Sequence, residues 1–207
     1  MRLTPNSITL LGLPIGITAA FFLSQGSFSF AAFLVLLLGG CDLLDGFLAK
    51  SKGLTTPFGA FLDSTIDRIT ELLLFAGILF FYLRQERVLM VGVTYWVIGA
   101  SLVISYTRAR AENFIQNCRV GFWERPERLG LLLLGLVSGH LNTALWILAF
   151  GTTLTALHRI FYTRSTLSQK NPSPFRNILF RDYPRKSWAY RFYVLLVVML
   201  TLSLKLS

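Results

Sequence analysis

Long apolar runs separated by short polar segments dominate this chain of 207 residues. Runs long enough for a helix of about 20 residues, the length that spans a bilayer, begin near residues 6, 28, 58, 88, 129 and 140. We therefore predict an all-α integral membrane protein with six transmembrane helices. A shorter apolar run, Phe192 to Leu206, fits either a seventh span or an interfacial C-terminal helix.

The polar segments predict where the helices end. We expect turns at 25–27, 51–57, 84–87 and 138–140, and one longer loop at 111–126. These elements form a single membrane domain over residues 1–165. From residue 166 to 207 the sequence mixes Pro, Arg and Lys with aromatic residues, which predicts a cytoplasmic tail that ends in the apolar segment.

Composition and charge agree with a membrane protein. Hydrophobic residues make up 54% of the chain and charged residues only 14%, against roughly 25% charged in soluble domains. The formal net charge is +10. Most Arg and Lys fall in loops on one side of the predicted bundle, whereas Arg84 and Arg87 fall opposite. This positive-inside pattern makes the basic side cytoplasmic and places the chain in the cell (inner) membrane, with no nucleic-acid partner expected.

Acidic residues are concentrated in one segment, which we call the aspartate window (residues 42–67). It holds four of the chain's ten acidic residues: Asp42, Asp45, Asp63 and Asp67. An ionised side chain at bilayer depth costs several kcal/mol unless it faces a polar cavity or a counter-ion. Helical residues three or four apart share a face, so two antiparallel helices joined at 51–57 can direct all four carboxylates to one point near the cytoplasmic surface.

Carboxylates without neighbouring His or Cys suit hard cations such as Mg²⁺ or Mn²⁺. Four negative charges balance two divalent ions, and a two-metal centre can clamp a phosphate and neutralise a diphosphate leaving group. Gly46, Ala49 and Gly59 carry little or no side chain, so a substrate can approach the helix backbone closely there. The window therefore predicts metal-assisted chemistry on a phosphorylated substrate.

Three other interpretations fit the window less well. A buried ion-pair network with Arg68 leaves too much uncompensated charge. A cation transporter would line a path with acids, whereas these cluster near one side of the membrane. A non-catalytic scaffold leaves the regular spacing unexplained.

The window reads DLLDGFLAKSKGLTTPFGAFLDSTID and resembles the signature of the CDP-alcohol phosphotransferases, Asp-x2-Asp-Gly-x2-Ala-Arg-x8-Gly-x3-Asp-x3-Asp. Every spacing matches, and Lys50 stands where the family usually has Arg. A lysine keeps the charge but loses the bidentate fork of a guanidinium. The resemblance implies transfer of a phosphoalcohol from a CDP-linked donor to a hydroxyl acceptor, with release of CMP.

The resemblance also implies roles for individual residues. The four aspartates correspond to ligands of two Mg²⁺ or Mn²⁺ ions, and Asp67 corresponds to the general base that takes the acceptor hydroxyl proton. Four positions are assigned to the CDP donor: Gly46, Ala49, Lys50 and Gly59. Members of the family often pair as homodimers, so a homodimer is expected here.

A second polar cluster follows the predicted fourth span. Its segments SYTRARAE (105–112) and ERPERL (124–129) resemble stretches of the prokaryotic phosphatidylinositol phosphate synthases and their archaeal ether-lipid counterparts. That resemblance implies CDP-diacylglycerol or an ether analogue as donor and inositol phosphate as acceptor. Guanidinium groups bind phosphate monoesters well. We assign this role to the arginine cluster, which consists of Arg108, Arg110, Arg125, Arg128 and Arg159.

Two alternatives remain open for this cluster. Its arginines could serve topology alone, since positive residues gather inside in any case. A phosphatidylglycerophosphate synthase, which uses glycerol 3-phosphate, shares the aspartate signature. Outside the window, we expect four glycines to pack helices rather than contact substrate: Gly39, Gly77, Gly92 and Gly99.

Overall fold

The computed structural model describes residues 5–51 and 56–168, apart from the side chains of residues 5, 6, 8, 45 and 47–50. Regular structure in these ranges is helical, which confirms the all-α prediction for the described part of the chain. The helices are α1 (Pro5–Ser24), α2 (Phe28–Ser51), α3 (Pro57–Arg84), α4 (Val88–Ala111), α5 (Arg125–Ser138) and α6 (Leu141–Leu167).

The helices end at the predicted polar segments. α1 and α2 are separated by residues 25–27, α3 and α4 by 85–87, and α4 and α5 by 112–124. Between α5 and α6, Gly139 has φ +76° and a left-handed conformation, which a glycine adopts at no steric cost. The described residues form two compact units, one up to Ile98 and the other from Gly99.

In the first unit, α1 packs against both α2 and α3. The three-residue turn between α1 and α2 makes these two helices antiparallel. Along the other contact, a Cβ added to Gly16 would meet Thr70, and a Cβ added to Gly77 would meet Ala20. The later residue of α1 contacts the later residue of α3, so α1 and α3 are parallel. It follows that α2 and α3 run in opposite directions.

Gly77 marks a close approach of α3 to α1, which confirms its predicted packing role. An added Cβ would lie 2.3 Å from the carbonyl oxygen of Ala20. For the other three glycines, no atom of the described structure lies within 4 Å of an added Cβ. Their predicted packing role is therefore wrong for contacts inside the described part of the chain.

Gly77→Ala is expected to destabilise the first unit. The new methyl group cannot avoid the Ala20 backbone, and overpacking of this kind costs about 1–3 kcal/mol. Thermal unfolding of the purified protein in micelles measures the loss. Gly39→Ala is the matched control, because its Cβ enters open space and a helical glycine gains from the change. Equal unfolding temperatures for the two variants would contradict the packing account.

In the second unit, α5 packs against α6. A Cβ added to Gly135 would lie 2.6 Å from the Cβ of Ala144, so these helices meet through small residues. The core between them is formed by leucines of both helices, which are almost fully buried: Leu132, Leu136, Leu145 and Leu148.

Two described helices, α4 and α6, are long and apolar enough to cross a membrane by length and composition. Shorter apolar stretches lie in α1 and α2, at Thr9–Ser24 and Phe28–Leu44. α3 carries four charged residues between positions 63 and 71. α5 has 14 residues and is about 21 Å long, less than the roughly 30 Å of the hydrocarbon core. The structure therefore establishes an all-helical fold with two candidate spans.

α6 ends at Leu167, two residues beyond the predicted domain boundary at 165. The rest of the predicted tail lies outside the described residues, which stop at 168. The alternative of a seventh span or an interfacial helix at 192–206 also falls there and stays a prediction.

Candidate active site

The aspartate window is divided between α2 and α3 in the first unit. Asp42 lies in the C-terminal half of α2, and Asp63 and Asp67 lie in the N-terminal half of α3. All three residues are half-buried. The side chain of Asp45 is outside the description. Half-burial leaves a carboxylate within reach of a ligand while withdrawing it from bulk water.

A side-chain cap fixes the start of α3. Thr56 has an extended backbone, Pro57 occupies the first turn, and the Gly59 amide donates a hydrogen bond of 3.0 Å to Thr56 Oγ1. Threonine before proline is a favourable helix start. Because the cap sets the first residue of α3, it also sets the face on which Asp63 and Asp67 lie. Gly59 thus has a backbone role in addition to its predicted place beside the donor.

The two halves of the window lie at similar depth. A Cβ built on Gly12 of α1 would lie 3.3 Å from Leu38 and 3.9 Å from Ile66, so both helices approach the same point of α1. Asp42 follows Leu38 by four residues, and Asp63 precedes Ile66 by three. Since α2 and α3 are antiparallel, both steps run in the same direction along α1. At 1.5 Å per residue, Asp42 lies about 6 Å beyond Leu38 and Asp63 about 4.5 Å beyond Ile66.

The donor atoms of the window fit a divalent hard cation, because they are carboxylate oxygens without a His or Cys partner in the window. Mg²⁺ and Mn²⁺ prefer such oxygens. Among the side chains that the structure describes, no group of three or more His, Cys, Asp or Glu residues is arranged to hold a metal ion. Asp45 lies outside that set, so the four-aspartate centre stays a prediction.

Gly46 is a donor-site residue whose surroundings are partly described. A Cβ added there would meet no described atom within 4 Å, so the backbone of α2 is open at this point as far as the described residues extend. This is the environment that close approach of a substrate requires. The side chains of Ala49 and Lys50 are among those not described, and their predicted contacts with the donor stay predictions.

In the second unit, Arg159 is buried in a fixed set of contacts. Only 2% of its side chain is exposed. Its Nε donates to the Val120 carbonyl at 2.9 Å, and its Nη1 donates to the Ile104 carbonyl at 2.7 Å. Its Nη2 lies 3.5 Å from Glu124 Oε1. A buried cation is stable only when paired in this manner, so Arg159 ties α6 to α4 and to the loop before α5.

Arg128 is also buried and binds the same loop. Its Nη1 donates to the Trp123 carbonyl at 2.8 Å, and the Trp123 amide donates to Thr155 Oγ1 at 3.3 Å. The Trp123 indole rests on α6 where Gly151 leaves space, since an added Cβ would lie 2.0 Å from Nε1. These contacts hold the end of the 112–124 loop against α6.

The other three arginines of the cluster are more open. Arg108 is in the last turn of α4. Its Nε lies 3.0 Å from Glu112 Oε1, and its Nη1 lies 3.7 Å from Glu124 Oε1. Arg110 is exposed, and its guanidinium carbon lies 5.0 Å from the centre of the Phe114 ring. Arg125 is half-buried at the first residue of α5. The cluster therefore divides into two buried and three accessible arginines.

Glu124 is the residue of this region that the sequence prediction did not single out. It lies between Arg108 and Arg159, so it links an accessible arginine to a buried one. The ERPER segment contains it, but two glutamates in that run look equivalent in sequence. Only the fold of the loop shows that Glu124 meets both arginines.

Comparison with known proteins identifies relatives of this chain. The family model described as CDP-alcohol phosphatidyltransferase matches residues 2–180. The chain is 37% identical to the phosphatidylinositol phosphate synthase of Corynebacterium glutamicum, over 77% of each chain. It is 33% identical to the archaetidylinositol phosphate synthase of Methanothermobacter thermautotrophicus, over 78% of this chain and 84% of that protein.

The fold is similar to crystal structures of the phosphatidylinositol phosphate synthase PgsA1 of Mycobacterium tuberculosis. The structure with CDP-DAG bound gives a TM-score of 0.76 at 31% identity, over 83% of this chain and 92% of that chain. The complex with manganese and citrate gives 0.75 at 32% identity, over 83% of this chain and 87% of that chain.

Together with these relatives, the helical fold and its half-buried carboxylates define a class of all-helical enzymes that act on CDP-alcohols with divalent cations. Within that class, the chain belongs to the CDP-alcohol phosphatidyltransferase family. The identification made from the spacing of residues 42–67 is confirmed.

Proposed function

We propose that this chain is a phospholipid-synthesising enzyme that transfers a phosphatidyl group from a CDP-diacylglycerol-type donor to inositol phosphate and releases CMP. The observation that carries the proposal is the aspartate window on the antiparallel helices α2 and α3, where Asp42, Asp63 and Asp67 are half-buried. The names of the relatives, synthases of inositol phosphate lipids with ester or ether chains, support the acceptor. CDP-DAG bound to the similar PgsA1 structure supports the donor.

In the proposed reaction, an acceptor hydroxyl oxygen attacks the phosphorus that carries the diacylglycerol. A new phosphorus–oxygen bond forms, the bond from that phosphorus to the bridging diphosphate oxygen breaks, and CMP leaves. Asp67 takes the hydroxyl proton as general base. When bound by the four aspartates, two Mg²⁺ or Mn²⁺ ions would neutralise the diphosphate charge. The manganese complex of PgsA1 supports this choice of metal.

The donor is proposed to lie along α2, where Gly46 leaves its backbone open. Ala49 and Gly59 would add little bulk, and Lys50 would supply a positive charge for the diphosphate. Because a lysine acts as a point charge without the bidentate fork of arginine, we expect Lys50 to contribute less orientation than the family's usual residue.

The acceptor phosphate is proposed to bind the accessible arginines of the second unit: Arg108, Arg110 and Arg125. Charge-assisted bonds from guanidinium groups to phosphate are strong and directional. The buried pair, Arg128 and Arg159, already donates to backbone carbonyls. We therefore infer that the buried pair supports the acceptor site by holding the loop and helix ends in place.

We also propose that all six helices lie in the cell (inner) membrane as one domain over residues 1–165, with the basic side and the active site facing the cytoplasm. The excess of basic residues in the loops on one side of the predicted helix bundle supports this orientation. Residues 166–207 would form a cytoplasmic tail. The homodimer implied by the family resemblance is part of the same proposal.

An acceptor panel tests the proposed function. The purified chain is reconstituted with CDP-diacylglycerol and Mn²⁺, and offered inositol phosphate, glycerol 3-phosphate, serine, inositol or buffer. We expect a lipid product from inositol phosphate at least about tenfold faster than from any other acceptor, since a site built to bond one ligand discriminates against ligands that leave its polar groups unpaired. Product from glycerol 3-phosphate alone would instead identify a phosphatidylglycerophosphate synthase.

A further inference from the structure

Glu124 occupies an unusual position for a residue at the start of a helix. It directly precedes α5 and has an extended backbone, yet its side chain makes no capping hydrogen bond to the helix. The shorter side chains of Asp, Asn, Ser and Thr accept a bond from a helix amide at this position, whereas the longer Glu124 side chain can reach other elements. The Glu124 carboxylate instead lies 3.5 Å from Arg159 Nη2 and 3.7 Å from Arg108 Nη1, through the same oxygen.

The two arginines that Glu124 joins differ in mobility. Arg159 is 2% exposed and is held by two backbone carbonyls, so it is a fixed point. Arg108 is 31% exposed at the side chain and lies near the end of α4. A long side chain at such a position loses rotamer entropy when it binds a ligand. A fixed carboxylate beside Arg108 already restricts its rotamers in the free protein, so less entropy is lost when the ligand binds.

Arg108 keeps part of its guanidinium available. Its Nε faces Glu112 and its Nη1 faces Glu124, whereas no ion pair or hydrogen bond within the described residues engages Nη2. The two N–H groups of Nη2 can therefore point to a phosphate while Nη1 stays paired with Glu124. An oriented guanidinium binds phosphate better than a freely rotating one.

We propose that Glu124 is a positioning residue. Its carboxylate pairs with the fixed guanidinium group of Arg159 and with Arg108, and so orients Arg108 toward the acceptor phosphate. The inference rests on the proposed function, because it assigns the ligand of Arg108 to the acceptor. Glu124 does not itself contact the phosphate. Its loss should weaken acceptor binding and leave the donor side of the reaction unchanged.

Glu124→Gln tests the proposal in steady-state kinetics with inositol phosphate and CDP-diacylglycerol varied separately. We expect the KM for inositol phosphate to rise about tenfold, because the charged partner that pairs with both arginines is lost. The kcat and the KM for the donor should stay within about twofold of wild type. The matched control is Glu112→Gln, which removes the more exposed carboxylate on Arg108 that no contact links to Arg159. Solvent-exposed pairs of this kind contribute little, so its acceptor KM should rise less than about threefold.

A double-mutant cycle separates positioning from a general structural effect. If Glu124 acts through Arg108, Glu124→Gln should change the acceptor KM by less than about twofold in an Arg108→Gln background, because coupled residues are not additive. Glu124→Asp serves as a second variant that keeps the charge but shortens the reach, with an expected rise between wild type and Glu124→Gln.

Three results would overturn the proposal: an unchanged acceptor KM in both Glu124 variants, equal effects of Glu124→Gln and Glu112→Gln, or full additivity with Arg108→Gln. Failure of the proposed function is distinguishable, because it appears in the wild type as absence of product from inositol phosphate. If the wild type used another phosphorylated acceptor, the same variants would be compared with that acceptor.

Discussion

Asp63→Asn is expected to reduce CMP release by at least about a hundredfold. Mutation of a residue that only hydrogen-bonds to a metal ligand already lowers metal affinity or activity about 10–100-fold, and Asp63 is a proposed ligand itself. The substitution keeps the shape of the side chain and removes the negative charge that a divalent cation needs. Asp63 is half-buried in the N-terminal half of α3, where the opposing helix α2 brings Asp42 to a similar depth. CMP release from CDP-diacylglycerol and inositol phosphate measures the effect.

The loss should be chemical and not a consequence of unfolding. Thermal unfolding of Asp63→Asn in micelles should match the wild type, since the variant keeps the helix and its cap at Thr56. Glu86→Gln is the matched control, because it removes one carboxylate from an exposed turn of the same unit and should leave CMP release unchanged. Full activity in Asp63→Asn would show that the aspartate window is not the catalytic centre.

Removal of divalent cations is expected to abolish activity, with a loss of at least about a hundredfold. In the proposed centre, four carboxylates without cations would repel one another and the diphosphate, and phosphoryl transfer depends mainly on positioning and charge neutralisation. The purified chain is treated with excess EDTA, and CMP release is measured before and after Mg²⁺ or Mn²⁺ is restored.

Both ions should restore the activity, because both prefer carboxylate oxygens. Ca²⁺ serves as the comparison, since its larger coordination shell does not reproduce an octahedral site. Undiminished CMP release in the presence of EDTA would contradict the metal assignment even if Asp63→Asn were inactive.

The helix boundaries could be predicted from sequence because each one depends on local chemistry. The turn at 25–27 and the break at 85–87 are polar segments between apolar runs, and Thr56 with Pro57 is a helix start that can be recognised from neighbouring residues. The aspartate window was predictable for a similar reason, since residue spacing along a helix determines which side chains share a face.

The arginine cluster could not be resolved from sequence, because burial there depends on how the 112–124 loop folds. Arg108 and Arg159 look alike in the printed sequence. Only the structure shows that Arg159 is buried and donates hydrogen bonds to the backbone carbonyls of Ile104 and Val120, while Arg108 stays accessible. The linking role of Glu124 depends on the same loop and has no local signal.

Glycine roles were predictable only in part for the same reason. Gly77 and Gly39 both lie within apolar helices, and both are compatible with close packing. Whether another backbone approaches is a property of helix pairing, and only Gly77 of these two meets one. Likewise, the short length of α5 follows from where the preceding loop ends, which hydropathy alone does not specify.

The central claim is that residues 42–67 form the centre that transfers a phosphatidyl group to inositol phosphate. Its most direct test is the stoichiometry of the reaction catalysed by the purified chain with CDP-diacylglycerol, inositol phosphate and Mn²⁺. We predict one phosphatidylinositol phosphate formed for each CMP released, with neither product formed by Asp63→Asn. CMP release without an inositol lipid, or an inositol lipid formed equally well by Asp63→Asn, would contradict the claim.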